Sequence, residues 1–171
     1  MLIFFVVMYT INQRPHKVVL VITGVIPMVV LNSTINKIAV AESERDNAIP
    51  HVLQRYLLPI EAHSQNYLRQ VSGDYTGGQW NFYKLSNGGF FMAPSDRQMY
   101  TITVPDNYFH KTVDAEAAGL IAFLSGINRV LAQQAGSVSG PDADLHRMYY
   151  LIMEYAVSHT KFKREIALAI D

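Results

Sequence analysis

At 171 residues, the chain is long enough for one domain to bury a core without the help of disulfide bonds. It contains no cysteine, which excludes a disulfide framework and thiolate metal sites. Fourteen Lys and Arg residues balance fourteen Asp and Glu residues. This balance favours neither a strongly basic nucleic-acid-binding protein nor a densely acidic protein that imitates DNA.

The first 31 residues differ from the rest of the chain because they are strongly apolar. They carry only Arg14 and Lys17 as charges and contain two apolar runs, at 1–9 and 18–31. A helix that spans a bilayer needs roughly 20 apolar residues, so neither run is long enough by itself. We interpret residues 1–31 as an apolar N-terminal extension of the domain that follows.

Two further interpretations of this extension stay open. Basic residues precede the second apolar run, and the small-x-small triplet at 39–41 is typical of a signal-peptide cleavage site, which would mean export or membrane anchoring. That triplet, however, begins well beyond the apolar run. Alternatively, translation starts at Met28 and most of the extension is not made. In either case the working domain is expected at residues 32–171.

The first predicted elements of the domain are a strand and a group of short helices. Residues 35–40 are β-prone, and Ser43 is the predicted N-cap of a short helix with acidic residues in its first turn. A longer helix is predicted from Pro59 to about Ser72, with Gly73 as its stop. Its predicted inward face, at three- and four-residue spacing, consists of Ile60, His63, Tyr67, Leu68 and Val71.

An antiparallel hairpin is the next prediction. Residues 79–85 and 89–93 are rich in aromatic and β-prone side chains, and they flank the sequence Ser-Asn-Gly-Gly. Asn-Gly is a strong hairpin signal, and we expect both Asn87 and Gly88 to have positive φ. Two more strands, separated by a Pro-Asp-Asn turn, complete a small antiparallel β-meander of three to four strands: 98–104 and 108–113.

The C-terminal third is predicted to be helical. Asp114 is the expected N-cap of a long helix, and the side chains along its inward face are Leu120, Leu124, Ile127 and Leu131. A loop at 136–141 leads to a second helix at 142–159, and a short helix at about 161–169 follows. Because strands are grouped ahead of helices, the predicted class is α+β, a small meander packed with several α-helices.

No motif with a catalytic or metal-binding spacing stands out. The glycines at 77–78 and 87–89 match neither a phosphate-binding loop nor a dinucleotide fingerprint. The six histidines lack helical metal-ligand spacing, and there is no nucleophile elbow. His63, on the predicted apolar helix face, is interpreted as a core histidine rather than a ligand. The residues therefore predict no catalytic, cofactor or metal site.

The aromatic residues of the hairpin are its unusual feature. Alternation predicts that Trp80 and Phe82 lie on one face of the sheet, with Asn81 and Tyr83 on the other. Exposed aromatic side chains on a sheet can stack on bases, which would make the domain a nucleic-acid-binding module. Basic residues are sparse in this region, so packing beneath the helices is the favoured interpretation, with partner binding for any aromatic that stays exposed.

The long stretch "DYTGGQWNFYKLSNGGFFMAP" at 74–94 closely resembles the signature of the ArdB/KlcA-type antirestriction proteins of plasmids and other mobile elements. The resemblance extends to the Ala-rich helix start at 113–124, the closing helix at 158–171 and the acidic-arginine segment at 41–57. Gln79 departs from the signature, which has an aromatic residue there. The apolar start of the chain has no counterpart in the family.

This resemblance implies a cytoplasmic protein that relieves restriction of incoming DNA by the type I restriction–modification systems of the host. Family members of this type are not thought to be enzymes and are distinct from acidic DNA mimics. The implied partner is the restriction–modification complex or a host factor that acts on it, without strong DNA binding, a membrane or a cofactor. The candidate interaction surface is the hairpin region, with Trp80, Tyr83, Asn87 and Phe91.

Overall fold

The computed structural model describes residues 34–135 and 142–171, and the expectations for residues 1–31 and for the loop at 136–141 lie outside them. In the described residues, the strands are β1 Lys37–Val40, β2 Trp80–Leu85, β3 Phe90–Pro94, β4 Met99–Val104 and β5 Phe109–Asp114. The α-helices are α1 Arg45–Ala48, α2 His51–Gln54, α3 Leu57–Val71, α4 Ala115–Gln134, α5 Ala143–His159 and α6 Lys163–Ala169. The predicted α+β class is confirmed.

The strands divide between two small antiparallel sheets, where one meander had been predicted. β1, β2 and β3 form a three-stranded sheet in that order, and β4 pairs only with β5 among the described strands. The break follows Pro94, which has no N–H to donate to a ladder. The Ser95 N–H still bonds to the Gln79 carbonyl at 3.0 Å, which continues the β2–β3 pairing by one residue. The chain then leaves the first sheet, and β4 begins at Met99.

The hairpin between β2 and β3 has the predicted strands but a different turn. The Gly88 N–H bonds to the Leu85 carbonyl at 2.9 Å, and the Leu85 N–H bonds to the Gly89 carbonyl at 2.8 Å. Gly88 has a φ of +90°, whereas Asn87 does not have positive φ, so that part of the prediction was wrong. The connection is a three-residue loop that closes with one left-handed glycine, the next most common hairpin type.

Helix α4 is the central element of the core. Its N-cap is Asp114, as predicted, whose carboxylate accepts the Ala117 N–H at 2.9 Å. The predicted inward residues are all buried: Leu120, Leu124, Ile127 and Leu131. The helix is long and apolar enough to cross a membrane, but 67% of its most apolar window is buried inside the protein, as expected of a core helix.

Two glycines allow α4 to pack closely on both of its neighbours. A Cβ at Gly119 would lie 2.8 Å from the Met92 carbonyl oxygen of β3. On the other side, a Cβ at Gly126 would lie 2.8 Å from the Ile60 carbonyl oxygen of α3. Backbone contacts this short exclude any side chain beyond hydrogen, so α4 is held between the first sheet and α3.

The helical segments before the hairpin differ from prediction in two details. Ser43 lies inside a 3₁₀ turn, Glu42–Glu44, and caps nothing, because the chain begins to turn one residue earlier with a bond from Glu44 N–H to the Ala41 carbonyl. In α3 the buried residues are Ile60, Ser64, Leu68 and Val71. The predicted inward residues His63 and Tyr67 are only half-buried.

Candidate functional site

The structure places two of the four predicted interaction residues in the core. Trp80 is 4% exposed and Phe91 is fully buried. The Trp80 indole N–H donates to the Tyr75 hydroxyl at 2.8 Å, and the two rings meet edge to face. This burial favours the packing interpretation of Trp80 and Phe91. A partner-binding role for the hairpin region stays a prediction.

Tyr83 and Phe91 belong to a cluster that joins five elements. The Phe91 ring stacks between Tyr83 and Tyr155, with centroids 5.0 and 5.9 Å away. The Lys37 ammonium lies 4.9 Å from the centroid of the Tyr83 ring and pairs with Glu116, which also accepts the Tyr155 hydroxyl. Burial, and then the Glu116 carboxylate, raise the pKa of Tyr155. These contacts connect five elements: β1, β2, β3, α4 and α5.

Asn87 fixes the hairpin turn to α5. Its side-chain oxygen accepts the Gly89 N–H at 3.0 Å, and its amide nitrogen donates to the Leu151 carbonyl at 2.9 Å. Glu154 lies 3.4 Å from the same nitrogen. Both ends of the amide are therefore engaged within the protein, which leaves little of it for a partner.

Asp74 and Tyr75, at the start of the signature, connect the two sheets. The Asp74 carboxylate accepts the Thr101 N–H of β4 at 2.7 Å, while Tyr75 binds Trp80 of β2. The Thr101 N–H, together with nearby Arg97, lowers the pKa of Asp74. Much of the signature thus serves packing between elements, which is a physical reason for its length.

A polar cleft, which no sequence motif predicted, opens between α3 and α4. It encloses about 690 Å³. Its lining side chains, which define the α3–α4 cleft, are His63, Asn66, Tyr67, Gln70, Ser125, Asn128 and Arg129. His63 and Tyr67, expected to face the core, form part of its walls. The signal in the sequence is four polar or amphipathic residues on α3 at three- and four-residue spacing, beside the apolar face.

The lining of the α3–α4 cleft is polar and has one guanidinium, that of Arg129. Burial raises the pKa of the Tyr67 hydroxyl, as does the charge of the Asp106 carboxylate, while Ser125 lowers it. Arg129 makes no ion pair or hydrogen bond with any other described residue. No carboxylate belongs to the lining. The cleft therefore presents one guanidinium, which only donates, beside side chains that both donate and accept hydrogen bonds.

A metal centre or a catalytic triad would bring several titratable side chains of the described ranges together. No cluster of three or more His, Cys, Asp or Glu residues there could hold a metal ion. Thr103 and His110 form a hydroxyl–imidazole contact at 2.8 Å, but it is an exposed cross-strand pair on the β4–β5 ladder. No carboxylate in the described ranges hydrogen-bonds to this imidazole, as the orienting group of a catalytic triad would.

The described part of the chain defines a small α+β protein with a polar cleft between α3 and α4. Residues 73–171 match the family model described as antirestriction protein. The chain belongs to this family, and the resemblance to ArdB/KlcA-type proteins is confirmed.

Individual relatives agree with this assignment. The antirestriction protein KlcA of Escherichia coli is 34% identical over 125 residues, which cover 71% of this chain and 84% of KlcA. The putative antirestriction protein YubI of Escherichia coli K12 is 34% identical over 92 residues, 54% of this chain and 64% of YubI. A solved structure from work on KlcA and ArdB superposes with a TM-score of 0.71 at 30% identity, covering 80% of this chain and 95% of the other. The KlcA and ArdB proteins are described as having a novel fold and antirestriction activity against type I DNA restriction systems in vivo but not in vitro.

Proposed function

We propose that this protein relieves the restriction of incoming unmodified DNA by type I restriction–modification systems, acting in the bacterial cytoplasm through protein contacts and without catalysis. The observation that carries the proposal is the match in fold and sequence to KlcA and ArdB, whose activity is against type I systems. That activity is found in vivo but not in vitro. Dependence on the cell supports a route through a host factor that acts on the restriction complex.

The charge of the domain supports a route other than DNA mimicry. Of the fourteen basic residues, Arg14 and Lys17 lie before residue 32, whereas all fourteen acidic residues lie after it. Residues 32–171 therefore carry twelve basic and fourteen acidic side chains, a net charge of −2. Competition for a DNA-binding groove requires phosphate-like charge along an extended face. Carboxylates interspersed among an almost equal number of cations do not supply such a face.

Burial of the hairpin aromatics weighs against the alternative of a nucleic-acid-binding module. Trp80 and Phe82 are buried, and the Arg45 guanidinium covers the Phe82 ring at 4.9 Å from its centroid. On the opposite face, Tyr83 stacks on Phe91. A stacking platform needs exposed rings, and these are already in contact with the protein.

The function is tested by the plating efficiency of unmodified phage on a host with an active type I system. Expression of the protein is expected to raise plating towards that of an isogenic host without the restriction subunit, and to change nothing in the latter. Unchanged plating with folded, well-expressed protein would refute the proposal. Retention of purified protein on DNA that falls steeply with salt would favour the nucleic-acid-binding alternative.

A further inference from the structure

We propose that the α3–α4 cleft is a docking site for an acidic, extended segment of a partner protein, with the Arg129 guanidinium pairing with a carboxylate of that segment. This inference rests on the proposed function, in which inhibition requires a protein contact. It assigns that contact to a surface formed by two helices, away from the buried hairpin signature.

The two helices that form the cleft are packed tightly against each other in the protein alone. α3 and α4 are in backbone contact at Gly126, where a Cβ would lie 2.8 Å from the Ile60 carbonyl oxygen. Ser64, buried at the same crossing, bonds back to that carbonyl at 2.6 Å. Side chains on two tightly packed helices lose less freedom on binding than side chains on loops, so affinity can come from few contacts.

Charge indicates an anionic occupant. Arg129 and His63 are the ionisable nitrogen bases of the lining, and no carboxylate lies among the lining residues. Lys37 and Arg55 of the described domain have acidic partners, Glu116 and Asp142. Arg129 has no such partner within the described ranges. A guanidinium in a cleft pairs with a carboxylate through two parallel hydrogen bonds.

The amides of the lining favour a peptide over a nucleic-acid strand. Gln70 and Asn128 each offer a donor and an acceptor, which match the alternating N–H and C=O groups of an extended peptide. A phosphodiester backbone offers acceptors alone, and tracking it requires cations at regular intervals. The cleft has one guanidinium, so it can recognise one anionic group within a segment but cannot follow a polyanion.

Binding can be measured with the full chain and a fluorescent peptide of ten residues that alternates glutamate and serine. The peptide is expected to bind the wild-type protein, and Arg129→Glu to weaken binding by about tenfold or more. Arg147→Glu is the matched control, because it makes the same charge change at an exposed position of α5. Equal binding by Arg129→Glu would overturn the proposal, as would tighter binding of a ten-nucleotide oligothymidylate than of the peptide.

The same variants separate this inference from the proposed function. In the plating assay, Arg129→Glu is expected to lose restriction relief while Arg147→Glu retains it. Full relief by folded Arg129→Glu would overturn the cleft and leave the function standing. Absence of relief by the wild-type chain would overturn the function, while peptide binding still reports on the cleft. If Arg129→Glu fails to fold, Asn128→Asp adds negative charge to the same exposed wall and serves in both assays.

Discussion

Tyr108 is a strained residue at the tip of the β4–β5 hairpin. It has a φ of +57°, alone among the described non-glycine residues, and its side chain is 96% exposed. Neighbouring Asn107 holds the tip by accepting the Phe109 N–H at 3.1 Å and donating to the Leu168 carbonyl of α6 at 2.9 Å. The surroundings therefore impose the left-handed conformation, since the tyrosine ring gains no burial from it.

Replacing Tyr108 tests this strain. Tyr108→Gly should be more stable than Tyr108→Ala by about 1 kcal/mol, because both lose the exposed ring but only glycine adopts positive φ without cost. Chemical denaturation of the two variants measures the difference. Equal stabilities would mean that the tip relaxes and stores no strain.

Gly88 is the corresponding position in the β2–β3 hairpin. A Cβ there would make an ordinary contact of 3.9 Å with Leu151, so the cost of a side chain is conformational. Gly88→Ala should destabilise the protein by about 1–2 kcal/mol, measured by thermal or urea unfolding. Gly73→Ala is the control, since it has open space and no positive φ, and it should stay within about 0.5 kcal/mol of the wild type.

At the scale of elements, α4 determines how the layers pack. Gly119→Ala would place a methyl group 2.5 Å from the Ala93 Cα and 2.8 Å from the Met92 carbonyl oxygen. Backbone atoms cannot move aside as the end of a flexible side chain can. Gly119→Ala should therefore lower the free energy of unfolding by about 3 kcal/mol, the upper part of the range for overpacking. Gln133→Ala, exposed on the same helix, should change stability by less than about 0.5 kcal/mol. A Gly119→Ala variant as stable as this control would show that sheet and helix separate freely.

The elements themselves could be predicted because their signals are local. The alternation in β2, the Asp114 cap and the apolar spacing of α4 all lie within one element, and each prediction was confirmed. The division into two sheets could not be predicted, because it depends on where the chain goes after Pro94. The same holds for Phe91, which alternation places on a face but whose burial comes from Tyr155 of α5.

At the scale of the whole molecule, Asp74 links the two sheets through a charge. Its pKa is lowered from 3.8 by the Thr101 N–H and by Arg97, so its contribution to stability is present above pH 3.8 and is lost as pH falls through the lowered value. Asp74→Asn should be less stable than the wild type at neutral pH, with a gap that narrows in acid. Asp74→Ala, which leaves the Thr101 N–H without its acceptor, should be less stable than the wild type both at neutral pH and in acid. Urea unfolding at pH 7 and pH 3 measures both gaps; an Asp74→Asn gap independent of pH would contradict the linkage.

The α3–α4 cleft could not be predicted from the sequence. The signature predicts a hairpin surface, but two of its three aromatic candidates, Trp80 and Phe91, are buried. The α3–α4 cleft forms only because two helices distant in sequence cross at Gly126. Helical spacing predicts a core position for His63 and Tyr67, because spacing alone does not show how much of α3 the neighbouring helix covers. The polar stripe on α3 becomes informative only beside Asn128 and Arg129 of α4.

The most direct test of the central claim measures restriction and modification in the same cells. Unmodified phage is plated on a host with an active type I system that expresses this protein, and the progeny are then plated on a restricting host without it. First-round plating is expected to rise and the progeny to be protected, because restriction is relieved through a protein contact that leaves methylation intact. Progeny as sensitive as unmodified phage would contradict it, since equal loss of cutting and methylation means competition for the DNA-binding groove that both activities share.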